Sequence, residues 1–400
     1  SKTRYRFSLG FLGQDAIVKS KFKAERYNLS FNISSDLKNW LTVNSVTNSF
    51  WRRNEGPTGG QNAFSGDNGI IYSFQRAAPT IPAFYSNGEY GIVDGAYLND
   101  NFSYLTQNPI RRGFLGNFER DQVNISHRTA FNFKITKNLS FETSGSINAI
   151  YTNASDFGPR TELNDWEGNI VTANELNNLS NSSDLDYRLL NENILKYNTS
   201  FSDVHNFGIL VGHSAQLFRS DNFSGQLSGF PTDNLEEFNG GGVVDPAVSG
   251  GAFEEAYQSF FGRINYDYAG KYLLELNFRR DGSSKFNSQN RYGNFPSASL
   301  GWRVSEEPFV ANLPFISNLK LRASYGETGS ERFNIGNDVV NNWPYLALLN
   351  NTNAIVDNQI VAGVSPLNIA NSVLQWEASQ EFNPALDFGF FDNRIQGSVD

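Results

Sequence analysis

Apolar and polar residues alternate with a period of two along many separate stretches of this chain. The same pattern recurs at 139–149, 272–279, 298–304 and 319–325. A helix would need a repeat of 3.6 residues, so these stretches are predicted to be strands with one apolar face. In 272–279 the apolar face holds Tyr272, Leu274, Leu276 and Phe278, and the opposite face holds Leu273, Glu275, Asn277 and Arg279.

Runs of this kind predict about thirteen strands over the whole chain. The predicted ranges are 4–11, 21–35, 40–53, 120–135, 139–152, 187–201, 206–219, 256–268, 271–281, 292–305, 319–328, 373–389 and 394–400.

The connections between these strands alternate between short turns and long segments rich in Gly, Asn and Pro. Short turns at one end and long loops at the other are typical of an outer-membrane barrel, with the long loops outside the cell. The sequence therefore predicts an all-β fold, a transmembrane antiparallel β-barrel. The short turns are Asp36–Asn39, Thr136–Asn138, Ser202–His205, Ala269–Lys271 and Phe391–Asn393, with a longer one at Glu306–Asn318; the other connections are 55–119, 153–186, 220–255, 282–291 and 329–372.

Composition agrees with a barrel and leaves one alternative. Aromatic residues make up 14% of the chain and charged residues only 18%, so uncharged side chains supply much of its polarity. No stretch approaches the roughly 20 apolar residues of a membrane helix, whereas barrel strands interleave lipid-facing and lumen-facing residues. A soluble all-β sandwich or propeller would share the alternation, but its loops would be shorter.

Aromatic residues are expected to form girdles at both membrane interfaces. Trp40, Tyr266, Tyr268 and Tyr272 lie beside short turns, whereas Trp51, Tyr151 and Tyr187 lie beside long connections. The high strand propensity of aromatic residues is the simpler alternative.

The chain shows no pattern that indicates an enzyme. It has no G-x-S-x-G, H-E-x-x-H or phosphate-loop motif, and its three histidines, His127, His205 and His213, fall on separate elements. It has no cysteine, so thiolate metal sites are excluded. We therefore expect no enzyme activity, no cofactor and no metal, and the net charge of −9 argues against a nucleic-acid partner.

Several blocks of sequence resemble the SusC/RagA family of TonB-dependent outer-membrane transporters. The strongest are RRDGSSKFNSQNRYGNFPSASLGWRVSEEPF at 279–309 and LKLRASYGETGS at 319–330. A third, LQWEASQEFNPALDFGFFDNRIQGSVD at 374–400, is similar to the family's late-barrel pattern. Weaker matches lie at 5–18, 26–45 and 191–216, so the resemblance covers the whole chain.

This resemblance implies a barrel of about 22 strands with an N-terminal plug. It also implies energy from TonB, a SusD-like lipoprotein partner and import of a glycan or peptide in Bacteroidota. Residues 1–400 would then be part of one barrel domain, with the plug and the remaining strands elsewhere in a longer polypeptide, because an open sheet edge is not tolerated in lipid. A SusC-like barrel that serves as a structural subunit of a surface or secretion assembly is the alternative function, and a secreted all-β adhesin is a third.

Substrate recognition is expected on long loops that carry aromatic rings beside carboxylate and amide groups, which can stack on sugars or hydrogen-bond to polar ligands. The block Asp281-Gly282-Ser283-Ser284 is expected to be architectural, since Asp and Gly suit a tight loop after a strand. The candidate substrate-binding residues are Asp165, Trp166, Asn341, Asn342, Trp343 and Tyr345.

Overall fold

One long antiparallel sheet dominates the computed structural model. The structure describes residues 2–60, 70–76, 82–86, 88, 90–91, 108–164, 170–174, 176–240, 244–332, 343–356 and 359–400. Among these residues, no helix has the length and apolar character needed to cross a membrane.

The strands are β1 (Thr3–Asp15), β2 (Lys23–Lys38), β3 (Leu41–Gly56), β4 (Asn117–Lys134), β5 (Leu139–Gly158), β6 (Thr161–Asn164), β7 (Ile170–Asn174), β8 (Asn178–Phe201), β9 (His205–Ser228), β10 (Val244–Tyr268), β11 (Tyr272–Ser283), β12 (Tyr292–Arg303), β13 (Ile316–Ser330), β14 (Leu349–Val356), β15 (Gln359–Pro366), β16 (Glu377–Phe390) and β17 (Ile395–Val399). The α-helices are α1 (Ile70–Arg76), α2 (Pro109–Phe114) and α3 (Pro308–Ala311), and 3₁₀ turns occur at Phe238–Gly240 and Val304–Glu306.

Thirteen of these strands follow one another in the sheet in chain order. The other four form two separate hairpins, β6–β7 and β14–β15, inserted in long connections, so that β5 pairs with β8 and β13 pairs with β16. Each neighbouring pair in the large sheet is antiparallel. This up-and-down order is that of a membrane barrel wall.

The register places charged and apolar side chains on opposite faces of the sheet. Glu275 pairs with Asn265 and Ser299, whereas its neighbour Leu276 pairs with Ile264 and Ala298. Because strand partners point to the same side, the assignment extends across the sheet. The charged face holds the ion pairs Arg128–Glu142, Arg263–Glu275 and Arg322–Asp387, at 2.9, 3.8 and 2.8 Å. It is the inner face of the barrel, and the apolar face points outward to lipid.

Aromatic rings line up across the strands at both ends of the apolar band. Beside the short turns, Trp40 stacks on Phe133 with centroids 6.2 Å apart, and Tyr272 stacks on Trp302 at 6.4 Å. Beside the long connections, Tyr27 stacks on Trp51 at 5.4 Å. These rows lie where the girdles were expected.

All thirteen predicted barrel strands are present, but two predicted loops are shorter than expected. Strands β9 and β10 continue through most of 220–255, and β5 and β8 continue into both ends of 153–186. At 24 residues each, β8 and β9 far exceed the roughly 9–11 residues that cross a bilayer. Both faces of the extra length lie in water, so its sequence lacks the apolar alternation that would have revealed it.

Candidate functional site

A cavity of about 570 Å³ lies on the inner face, towards the ends of the strands that lead into the long connections. Strands β10, β11, β12 and β13 supply most of its walls, and the register points Phe261, Arg279 and Phe295 to the inside. The cavity therefore combines two aromatic rings with charged and amide groups. Its lining includes Phe261, Arg263, Asn277, Arg279, Asp281 and Phe295.

The guanidinium group of Arg279 is held in place by three contacts. Its Nε donates to Asp281 Oδ2 at 2.7 Å, and one Nη donates to Ser259 Oγ at 2.9 Å. Its carbon centre lies 5.5 Å from the centroid of the Phe261 ring, within cation–π range. A cation fixed in this way presents its remaining N–H groups to the cavity without the entropy cost of ordering a free side chain.

Two residues closer to the short turns, the same strands hold a second cation in place. Arg263 Nε donates to Asn277 Oδ1 at 2.7 Å and lies 3.8 Å from Glu275. The inner wall thus alternates positive, amide and negative groups along β10 and β11. Such a surface suits a neutral or zwitterionic ligand with many hydrogen-bonding groups better than a strongly charged one.

A row of aromatic rings, which we call the aromatic ladder, connects the inner face of the sheet with Trp343, one of the predicted substrate-binding residues. Phe218 of β9 and Phe253 of β10 meet edge to face with centroids 5.6 Å apart, and Trp343 packs edge to face on Phe253 at 6.5 Å. At the Phe218 end of the ladder, the guanidinium carbon of Arg188 lies 5.3 Å from the centroid of the Phe218 ring. Trp343 and Tyr345 are both half-buried. The ladder joins the loop after β13 to the inner face.

The other predicted substrate residues lie outside the part of the chain that the structure describes. These are Asp165, Trp166, Asn341 and Asn342. Sequence reasoning also missed Phe261 and Phe295, because it looked for binding residues only in loops, and it missed Phe253, which it placed in the long connection 220–255. A signal was available for Phe261 and Phe295: each is an aromatic residue at an inward position of a predicted strand whose other inward positions are mostly polar.

The loop between β11 and β12 packs beside the cavity at the rim of the sheet, by which we mean the strand ends that lead into the long connections. Phe286 is fully buried and packs on Trp376 at 5.1 Å, and Trp376 packs on Phe295 at 5.5 Å. The indole N–H of Trp376 donates to the Arg291 carbonyl at 3.1 Å. Phe286 is therefore a structural anchor of this loop. The loop expected at 281–284 begins only after Ser283, because β11 continues to that residue, and Asp281 lines the cavity and holds Arg279.

A lysine in the same loop bridges two carboxylates. Lys285 Nζ lies 3.2 Å from Glu255 Oε1 and 3.5 Å from Glu331 Oε1. Burial, together with repulsion from Glu255, raises the pKa of Glu331 to about 7, and Arg332 opposes that shift. The cluster ties β10, the β11–β12 loop and the end of β13 together at the rim.

A second inner-face cavity, of about 900 Å³, lies near the short turns. Its lining is rich in amide and charged groups, including Asn198, Asn265, Asp267, Glu275 and Lys320. Among the described residues there is no group of three or more His, Cys, Asp or Glu side chains placed to hold a metal ion.

Taken with the two aromatic rows, the charged inner face and apolar outer face define part of an outer-membrane β-barrel. The chain belongs to the TonB-dependent receptor family: residues 77–400 match the model described as TonB dependent receptor-like, beta-barrel. The SusC/RagA resemblance and the outer-membrane location are thereby supported at the level of the family.

Curated relatives agree with this assignment. The chain is 29% identical to TonB-dependent receptor P3 of Formosa agariphila over 401 residues, covering 100% of the chain and 38% of the relative. It is 28% identical to TonB-dependent receptor SusC of Bacteroides thetaiotaomicron, covering 99% of the chain and 39% of that protein. The chain thus spans about two fifths of the length of these relatives.

The fold matches a solved structure described as the RagAB peptide transporter. The TM-score is 0.79 at 22% identity, covering 100% of this chain and 42% of that chain. This match shows the same fold and agrees with the barrel expected from the sequence blocks.

Proposed function

We propose that the whole protein imports an oligomeric nutrient, a glycan or a peptide, across the outer membrane with energy from TonB. The observation that carries the proposal is the inner-face cavity, in which aromatic rings lie beside fixed guanidinium and carboxylate groups. Sugars stack on aromatic rings, and peptides offer both apolar side chains and backbone hydrogen-bonding groups. The named relatives support a transporter: they are TonB-dependent receptors, and one fold neighbour is a peptide transporter.

In this proposal residues 1–400 are part of one barrel domain, and a plug and further strands belong to the rest of the protein. A SusD-like lipoprotein covers the long connections from outside. Substrate enters by way of the ladder that ends at Trp343, and it is held by inner-face groups without any covalent step. Asp165, Trp166, Asn341, Asn342 and Tyr345 complete the entry surface.

The ladder can be tested by transport in cells that carry the full-length gene with its neighbours. The probes are fluorescent oligosaccharides and fluorescent peptides, each supplied with and without functional TonB. Phe253→Ala and Trp343→Ala should each lower uptake about two- to tenfold, because an aromatic contact contributes about 0.5–1.5 kcal/mol beyond its buried area.

The matched control is Trp51→Ala, which removes an outward ring of the girdle and should leave uptake unchanged at equal outer-membrane levels. Uptake that persists without TonB would refute import by this mechanism. The absence of any uptake, with the protein found instead in a large surface complex, would favour the structural-subunit alternative.

A further inference from the structure

Charged side chains at the rim end of β2, β3 and β4 are separated by face. The acidic residues there share the outward face with Trp51, because they occupy alternate positions in register with it; they are Glu25, Glu55, Glu119 and Asp121. Three arginines occupy the intervening positions, so they face the lumen. We call them the arginine patch: Arg26, Arg52 and Arg120.

Opposite charges are paired on the outward face and not on the inner one. Outside, Arg53 lies 2.7 Å from Glu55 and 3.1 Å from Glu119. Inside, no carboxylate oxygen of the described residues lies within ion-pair distance of the arginine patch. The inward carboxylate of Asp156, at the same end of β5, already accepts hydrogen bonds from Thr58 Oγ1 at 2.6 Å and from the backbone N–H of residue 59 at 2.9 Å. The patch is therefore a set of positive charges without a counter-charge in the described part of the chain.

Two of these arginines lie directly opposite each other. Arg26 of β2 pairs with Arg52 of β3, and Arg120 of β4 pairs with Asn54, two residues further along β3. Directly opposite residues have Cβ atoms about 4.5–5.5 Å apart, and like charges at such positions destabilise a strand pair. The chain as a whole carries a net charge of −9, so this local excess of positive charge runs against its composition. An anion bound between the guanidinium groups would remove their repulsion.

Neighbouring side chains orient the guanidinium groups and leave most of their N–H groups for a ligand. The guanidinium carbon of Arg26 lies 4.2 Å from the centroid of the Phe50 ring, and that of Arg120 lies 6.0 Å from the centroid of Phe118. Arg52 Nε donates to Asn54 Oδ1 at 3.1 Å. A guanidinium group has five N–H donors, so these contacts use few of them.

The patch is accessible from the lumen and lies near its outer mouth. Arg26 and Arg120 are exposed, and Arg52 is half-buried. Arg52 directly follows Trp51, a ring of the outer aromatic row, so the patch lies at the level where a ligand enters from outside. A guanidinium group is planar and always charged, and it binds a carboxylate through two parallel hydrogen bonds.

We propose that the arginine patch binds carboxylate groups of the imported oligomer, so that the substrate is an acidic glycan or an acidic peptide. This inference rests on the proposed import function and narrows its substrate class. The wall formed by β10 and β11 carries groups of both signs, so the uncharged part of the ligand lies on that side and its carboxylates lie against β2, β3 and β4. The rings of Phe50 and Phe118 supply apolar contacts beside the bound carboxylates.

Binding to the purified full-length protein tests the preference for acidic ligands. The probes are two matched pairs of fluorescent hexamers: an oligouronate with its carboxyl-reduced neutral form, and a glutamate-rich peptide with its glutamine counterpart. Fluorescence polarisation should show that one acidic probe binds about tenfold or more tightly than its neutral form, because hydrogen bonds between charged groups are the stronger ones. The pair that shows the preference identifies the substrate as sugar or peptide. Equal affinity within both pairs, or no binding of either acidic probe, overturns the proposal.

Neighbouring arginines on opposite faces supply a matched pair of variants. Arg52→Gln should weaken binding of the acidic probe about tenfold and leave the neutral probe unaffected, whereas Arg53→Gln, one residue along but outward, should change neither. Heat-dependent gel mobility reports whether each variant has folded. If Arg52→Gln does not fold, Arg26→Gln and Arg120→Gln provide the same test at exposed positions. A folded patch variant that keeps the full preference for the acidic probe contradicts the proposal.

The import function and the arginine patch can fail separately. Uptake that does not need TonB would refute import, while the binding preference of the purified protein would still decide whether the patch holds carboxylates. Conversely, TonB-dependent uptake of acidic and neutral probes at equal rates, in wild type and in Arg52→Gln alike, would leave import standing and remove the patch as its selector.

Discussion

Single residues at the rim make the stability of this region depend on pH. Glu331 is held beside Glu255 and Lys285, and its pKa is raised from 4.5 to about 7. A raised pKa in a carboxyl group means that the folded state binds the proton more tightly than the unfolded chain. Its contribution to stability is therefore complete below about pH 4.5 and is lost as the pH rises through about 7.

We expect the loop between β11 and β12 to open more readily at pH 8 than at pH 5.5. Hydrogen-exchange protection factors of residues 284–291 should fall across that interval. Glu331→Gln keeps the shape but cannot ionise, so its protection should stay nearly constant. Glu306→Gln, at an exposed carboxyl on the periplasmic turn, serves as the control. If protection in the Glu331→Gln variant falls with pH as it does in the wild type, Glu331 is not the cause of the pH dependence.

The two neighbours Leu276 and Asn277 test which face meets lipid. Leu276→Arg should cost about 2–4 kcal/mol of folding free energy in a bilayer if the site is near the midplane, because the charge faces hydrocarbon. Asn277→Arg should cost clearly less than Leu276→Arg, because the added charge faces the aqueous inner side; its own cost comes from the loss of the acceptor for Arg263 Nε and from the neighbouring positive charges. Reversible unfolding in lipid vesicles measures both. Equal costs at the two positions would mean that neither side faces lipid.

At the scale of the elements, the sequence predicts where strands cross the membrane and misses where they continue beyond it. Alternation reveals β11 almost to the residue, because one face meets lipid and the other meets the lumen. The outer parts of β9 and β10 carry no such contrast, so their hydrogen-bonded pairing was not visible in the sequence. The same reason hid the β6–β7 and β14–β15 hairpins. It also explains why Phe253, on the outer part of β10, was not identified as a candidate.

The length of these strands narrows the set of sites at which added protease should cut the protein in intact cells. We expect the long connections to be cut, but between β9 and β10 only within 229–243, because the flanking residues are paired in the sheet. The periplasmic turns Asp36–Asn39 and Ala269–Lys271 should stay intact until the outer membrane is opened. Mass spectrometry of the released peptides gives the sites. Cleavage of Ala269–Lys271 in intact cells would invert the topology.

At the scale of the whole molecule, the strands reach different heights at the rim, and a partner that covers the rim has to fit this difference in height. Strands β8, β9 and β10 rise above the membrane as a wall, whereas β11 and β12 are 12 residues each and end lower. The family and the up-and-down order were predictable from the alternation and from the motif blocks. The contacts of the rim were not, because they join residues far apart in the chain, such as Phe286 and Trp376.

We expect a SusD-like lipoprotein to co-purify with the full-length protein in mild detergent, seated on this rim. Mass spectrometry of the purified complex identifies it. Replacing Phe286 with Ala should loosen the rim and reduce the amount recovered, whereas Phe278→Ala on the lipid face should not. A barrel that stays alone when its neighbouring genes are co-expressed would argue against such a partner.

The strict chain order of the sheet has a consequence for how barrels of this kind change size over evolution. In the described part of the chain, each of the eleven inner strands of the sheet pairs with the barrel strand before it and the one after it, and β1 and β17 lie at its two ends. Duplicating or deleting one hairpin therefore alters the circumference by two strands and leaves every other pairing and every inward or outward assignment as it was. Insertions between strands, like the β6–β7 and β14–β15 hairpins, do not disturb the wall either. A gene for this architecture can gain a wider pore or a new surface loop by local duplication. No intermediate on that path needs a different strand order in the sheet.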